Sequence, residues 1–199
     1  FPGSPEIVED APNFTGNAIK KAVELARWIG SGKIGFAQLP DFVLADDSGL
    51  EVDALRGAPG VHSARFAALD KPQSWQMGNS PDAENNAKLL RLLGHVPLAH
   101  RKARFRCVIA MTPVEPVAAT PASPVCYADE SELKTEIFEG ACEGHIALVP
   151  SGKGGFGYDP LFIPVEHDIS FAELGEEEKN KLSHRAKALE KLKSRLRVA

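Results

Sequence analysis

The stretch Phe42-Val43-Leu44-Ala45-Asp46-Asp47-Ser48-Gly49-Leu50-Glu51-Val52-Asp53-Ala54-Leu55 decides how the rest of the chain is read. Phe42 to Ala45 is a short continuous apolar run, the pattern of a strand buried on both faces. It leads straight into two carboxylates and a glycine, and a further apolar-rich run follows from Leu50. Open α/β sheets take ligands beyond the carboxyl ends of their strands, which makes Asp46 and Asp47 candidates for a site. Side chains alternate along a strand, so the two acids point to opposite faces and only one serves a given site. The other then ties down backbone donors of a turn. Taken alone, the tetrapeptide equally describes an Asx turn with both acids solvated.

Upstream, Thr15 to Ile29 has helical spacing, with Ala18, Ala22, Leu25, Ala26 and Ile29 on one stripe and Gly30 as a stop. Downstream, Ser80 at N-cap, Pro81 at N1 and the acids Asp82 and Glu84 announce a second helix. Phe105 to Met111 is strand-like, and so is Leu133 to Leu148, where Gly140 and Gly144 suggest bulges. Between them, a Pro/Ala-rich stretch over residues 112–131 is expected to be a hairpin excursion or insertion rather than a linker. The last helix is expected over Glu176 to Arg197, its acids first and its bases last, matching the helix dipole. This order of elements predicts a mixed α/β fold in a single domain spanning residues 1–199.

The 199 residues are 43% hydrophobic and 25% charged, which is globular and excludes disorder. A formal net charge of −4 gives no global grip on DNA or RNA. No apolar run approaches the roughly 18 residues that a membrane span needs. Three cysteines, an odd number with no CxxC pair, predict reduced intracellular thiols. Residues 1–5 have neither the basic start nor the apolar stretch of a signal peptide, and they lack an initiator Met.

Two more clusters carry potential chemistry. In Ser151-Gly152-Lys153-Gly154-Gly155-Phe156-Gly157-Tyr158-Asp159, glycines let backbone amides approach an anion or a planar base, and Phe156 or Tyr158 could stack on it. The spacing fits neither a Walker A loop nor GxGxxG opening a helix, and a flexible surface turn explains the same residues. Lys179 and Ser183, four apart, share a helix face with His184 and Arg185 beside them, although a solvent-facing stretch would look alike. The remaining histidines show no HxH or HExxH pattern, so no zinc site is expected. Together, acids, an aromatic glycine-rich loop and cations are what Mg²⁺-dependent nucleoside triphosphate hydrolysis requires.

Four ordered segments carry a specific likeness: Ala45 to Val52, Gly57 to Phe66, Gly154 to Pro160, and Glu178-Lys179-Asn180 followed by Ser183-His184-Arg185. From about Asn13 to Leu192 the chain resembles the inosine triphosphate pyrophosphatase family, the dITP/XTP pyrophosphatases. The DDSG and SHR segments argue against the Maf-type pyrophosphatases of related fold. The resemblance implies a two-lobed α/β fold around a long twisted mixed sheet with flanking helices, an active cleft between the lobes, and a cytoplasmic homodimer. It implies conversion of ITP, dITP or XTP to the monophosphate and pyrophosphate with Mg²⁺.

By the same resemblance, Asp47 is the general base and a metal ligand, Asp46 supports it, Glu9 is the second metal carboxylate, and Lys21 faces the phosphates. Ser48 contacts substrate, Phe156, Gly157, Tyr158 and Asp159 form the base-binding loop, and Lys179, His184 and Arg185 complete the nucleobase pocket. Two departures stand out. The family's acidic position in its F-x-E-N-A segment is Gly16 here, a weaker helix former. The family's opening strand and [ST]-x-N-x-x-K loop have no counterpart, so an N-terminal strand–helix unit is expected to be missing. A chain that starts at Phe1 would then be a catalytically impaired nucleotide-binding relative; one that continues upstream would be fully active.

Overall fold

Asn13 starts the first helix: its backbone is extended (φ −147°, ψ 163°) and its Oδ1 accepts the Gly16 N–H at 2.8 Å. Helix α1 spans Phe14–Gly30 and buries Phe14, Asn17, Ala18, Ala22, Val23, Ala26 and Ile29, close to the predicted stripe. The left-handed residue that follows it is Gly32 (φ 70°), not Gly30. The computed structural model describes residues 3–32, 38–72, 78–116 and 134–197. Most of the excursion expected over 112–131 therefore lies outside the described residues, as does Cys126; Cys107 and Cys142 are free thiols.

Strand β1 is Phe42–Val52, β2 Lys102–Pro113, β3 Glu136–Ile146 and β4 Phe162–Pro164, in the sheet order β1-β2-β3-β4. The fold is thus mixed α/β, with an antiparallel four-stranded sheet and flanking helices among the described residues. In the β3–β4 pair, Gly144 lies opposite Pro164 and Ile146 opposite Phe162. The residues divide into two compact units, Phe1–Asp47 with Val108–Phe138, and Ser48–Cys107 with Glu139–Ala199.

Three expectations are corrected. The DDSG segment neither turns nor ends a strand; it sits inside the continuous β1. Phe42 and Leu44 are about half exposed while Val43 and Asp47 are buried, so the start of β1 alternates. Burial on both faces occurs instead at Val108 to Thr112 of β2, which is internal in the sheet order where β1 is terminal. An apolar run of four does not distinguish these positions. Finally, the long last helix is broken. Helix α4 (Glu176–Leu182) ends at Ser183, whose extended backbone (φ −65°, ψ 154°) starts α5 (His184–Arg197). Ser183 Oγ accepts the Ala186 N–H at 3.2 Å, the work of an N-cap.

The second unit buries a continuous cluster of Leu50, Val52, Phe66, Leu89, Leu93, Phe105, Ile146, Leu161, Phe162 and Phe171. Helix α2 (Asp82–Leu92) contributes Leu89 to it; its N-cap is Pro81, and Ser80 Oγ is committed elsewhere, accepting the Ala68 N–H at 2.9 Å. Short helix α3 (Phe171–Leu174) opens with a capping box between Ser170 and Glu173. On the other face of the strands, Arg104 reaches Glu143 at 3.1 Å and Asp53 at 2.9 Å, and Arg106 reaches Glu139 at 3.2 Å. These half-exposed pairs are worth at most about 1 kcal/mol each and chiefly fix which face is wet.

Gly140 and Gly144 do not break β3; both mark close approach. A Cβ at Gly140 would fall on the His184 carbonyl oxygen and lie 2.6 Å from Ala188 N, so α5 rests directly on the β3 backbone. Gly140→Ala is expected to cost at least about 1–3 kcal/mol, the usual penalty of overpacking, measured by urea denaturation. A variant as stable as the parent would show that α5 can lift off without loss.

Candidate active site

Two groups of side chains gather, one in each unit. In the first, α1 and β1 bring Asn17, Lys21 and Asp47 together. Asn17 and Lys21 are one helical turn apart and therefore share a face. Asn17 Nδ2 donates to Asp47 Oδ2 at 3.0 Å, and Lys21 Nζ lies 3.4 Å from Asp47 Oδ1 and 3.3 Å from Glu9 Oε1. Asn17 is itself locked, because its Oδ1 accepts the Ala11 N–H at 3.0 Å. Asp47 is 8% exposed, and burial raises its pKa above the ordinary aspartate value. The Asn17 hydrogen bond and the Lys21 charge oppose that rise without cancelling it, and Glu9 adds to it. The result is a carboxylate with enhanced affinity for a proton, held in one orientation. Asp46 points to the opposite, exposed face of β1, as alternation predicted.

In the second unit, a cavity of about 290 Å³ is lined by Ser48, Phe105, Phe156, Tyr158, Lys179, His184 and Arg185, among others. Phe156 is 62% exposed and carries cations: Lys179 Nζ lies 4.6 Å and Arg185 Cζ 5.8 Å from its ring centre. Asp159, 2% exposed, anchors both neighbours, accepting the Phe156 N–H at 2.8 Å and pairing with Lys179. Gly155 (φ 75°) is glycine by necessity, since a Cβ there would strike the Asp159 carboxylate. His184 stacks on Phe105, with centroids 5.0 Å apart and planes at 13°. The helix break at Ser183 puts His184 and Arg185 in the first turn of α5, whereas Lys179 stays on α4.

This arrangement suits a flat, oxygen-bearing ring: an exposed aromatic side chain with two cationic donors close to it. A family model, described as the Ham1 family, matches residues 1–195. The chain belongs to the Ham1 family. It is 48% identical over 191 residues to the dITP/XTP pyrophosphatase of Desulforamulus reducens, covering 96% of this chain and 77% of that protein. It is 45% identical over 192 residues to the dITP/XTP pyrophosphatase of Geobacillus kaustophilus, covering 96% and 76%. The structure of a Ham1 protein from Coxiella burnetii superposes with a TM-score of 0.75 at 38% identity, covering 98% of this chain and 82% of that one. The likeness carried by the four sequence segments is borne out.

Not every residue expected in the Ham1 site meets the cavity through its side chain. The Tyr158 hydroxyl donates to the Ser63 carbonyl at 2.9 Å, and the ring is almost fully buried, which pushes the phenol pKa well up. Tyr158 is thus a strut. Asp159 likewise acts through Phe156 and Lys179. Asn17 was missed as a site residue, although a fully buried amide in an apolar helical stripe, four residues before Lys21, is a readable signal.

The resemblance implies a divalent cation, and the donors of the first group fit one. Glu9 and Asp47 offer hard carboxylate oxygens that both lie within 3.4 Å of the Lys21 ammonium, and Mg²⁺ is commonly held by one or two carboxylates with phosphate and water oxygens. Among the described residues no three His, Cys, Asp or Glu side chains converge, so these residues alone supply at most part of a coordination shell.

Removing the Asn17 amide takes away the largest contribution that holds the Asp47 pKa down. Asn17→Ala is therefore expected to move the Asp47 titration to still higher pH, as followed by carboxyl carbon NMR. A midpoint that stayed put or fell would show that burial, not this hydrogen bond, governs the group.

Proposed function

We propose that the protein is a Mg²⁺-dependent nucleoside triphosphate pyrophosphatase that cleaves dITP, ITP and XTP to the monophosphate and pyrophosphate. The observation that carries it is the exposed Phe156 ring flanked by Lys179 and Arg185 in a cavity of nucleobase size. The relatives at 45–48% identity, which are dITP/XTP pyrophosphatases, support the same substrate class.

The purine stacks on Phe156 while Lys179 and Arg185 donate to its 6-oxo oxygen. Adenine presents an amino group there and would leave those donors unmatched, at about 1–3 kcal/mol for each one buried. The phosphate end is assigned, on the family resemblance, to Lys21, Asp47 and Glu9. Asp47, with its raised pKa, takes a proton from water, whose oxygen attacks the α-phosphorus. The bond from that phosphorus to the bridging oxygen breaks, and pyrophosphate leaves. Lys21 offsets charge that builds on the phosphate oxygens. Glu9 and Asp47 would hold the Mg²⁺, which supplies further charge neutralisation when bound. The working form is proposed to be a cytoplasmic homodimer, which the family resemblance supports; sedimentation equilibrium tests the dimer.

With dITP the products should be dIMP and pyrophosphate, with no orthophosphate, and dATP should react roughly 10- to 100-fold more slowly. Equal rates on ATP and ITP would overturn the substrate assignment. Asp47→Asn should lower kcat by about 10²–10⁴-fold with a smaller change in nucleotide affinity; retained turnover would remove Asp47 as the base.

A further inference from the structure

The loop that carries Phe156 is held from a direction that the nucleotide reading does not use. Asp82 and Asn86 lie one turn apart on α2 and close on the same residue. Asp82 Oδ2 accepts the Gly157 N–H at 2.6 Å, and Asn86 Nδ2 donates to the Gly157 carbonyl at 3.0 Å. Both backbone groups of the residue next to Phe156 are thereby fixed to one helix face. We propose that Asp82 and Asn86 are positioning residues that clamp Gly157, so that α2 sets the place of the Phe156 ring and with it the selectivity of the purine pocket. This rests on the pocket assignment under the proposed function.

Three observations support the clamp. First, a first-turn acid ordinarily serves its own helix, and the N-cap residue Pro81 offers no side-chain hydrogen bond, yet Asp82 reaches across to the loop. Secondly, Asn86 Oδ1 is buried and receives no hydrogen bond among the described residues. Reversing the amide would set that oxygen against the Gly157 carbonyl, so the grip on Gly157 is what keeps Asn86 in a position that leaves half of its amide unsatisfied. Thirdly, α2 is a firm base. The neighbouring Asn85 is buried and accepts the Ala67 N–H at 2.8 Å while donating to the Ala64 carbonyl at 3.2 Å. On its other side the loop is tied by Asp159 and by Tyr158. Between these ties the Phe156 ring stays largely exposed.

Asp82 also borders the cavity, so its charge could act on the ligand directly. The conservative variant separates the two roles, because an Asn side-chain oxygen still accepts the Gly157 N–H. Asp82→Ala and Asn86→Ala are expected to raise the KM for dITP roughly ten-fold with little change in kcat, and to lower the preference for dITP over dATP. Asp82→Asn should stay near the parent. Amide hydrogen exchange at Gly157, measured without nucleotide, should speed up in Asp82→Ala and not in Asp82→Asn. The proposal is overturned if Asp82→Asn is as impaired as Asp82→Ala, if both alanine variants keep the parent KM, or if Gly157 exchange is unchanged in Asp82→Ala. Failure of the parent protein to cleave dITP would sink the functional reading instead, and the exchange comparison would still decide the clamp.

Discussion

The carboxylate of Asp159 is the point on which the pocket of the second unit depends. It is buried, and it holds the Phe156 amide and the Lys179 ammonium at once. An ion pair withdrawn from water is costly to form and still more costly to break, because the partner left behind is a buried unpaired charge. Lys179 on α4 and Phe156 in the loop are therefore held to one another through a third residue. The cation can lie over the aromatic ring without contact between the two having to supply the energy. The glycine-rich loop is thereby tied to α4 through a buried carboxylate rather than through its own backbone alone.

Asp47 shows the complementary use of burial. Here the partners do not stabilise the charge fully: Asn17 donates at 3.0 Å, but Lys21 stands 3.4 Å away and shares itself with Glu9. Desolvation outweighs the Asn17 hydrogen bond and the lysine together, and the carboxyl is left with a raised proton affinity. Two buried aspartates in one chain thus differ in state, one paired with a lysine and a backbone amide and one left with a raised proton affinity.

Much of this was legible before any coordinates. The helix over Phe14–Gly30 followed from alanine spacing, the opposed directions of Asp46 and Asp47 from strand alternation, and the family from four ordered segments. The break at Ser183 was less so. Charge order along residues 176–197 suits one long helix as well as two, and the serine that caps the second helix looks like any polar residue until the chain extends there. The tie that Tyr158 makes to the core was hidden for a similar reason. An aromatic in a glycine-rich loop reads as a stacking surface, yet its hydroxyl finds the Ser63 carbonyl and its ring joins the core.

The sequence by itself determined the family, the mixed α/β class and the residue types at the site, because these follow from local periodicity and from chemistry written in contiguous segments. Only the tertiary structure decided that DDSG lies within an unbroken strand, that Asn17 steadies Asp47, and that α2 reaches Gly157. Each of these depends on a contact between residues far apart in the chain. The cost of an unmet hydrogen bond or a buried charge exists only once the chain has closed around it.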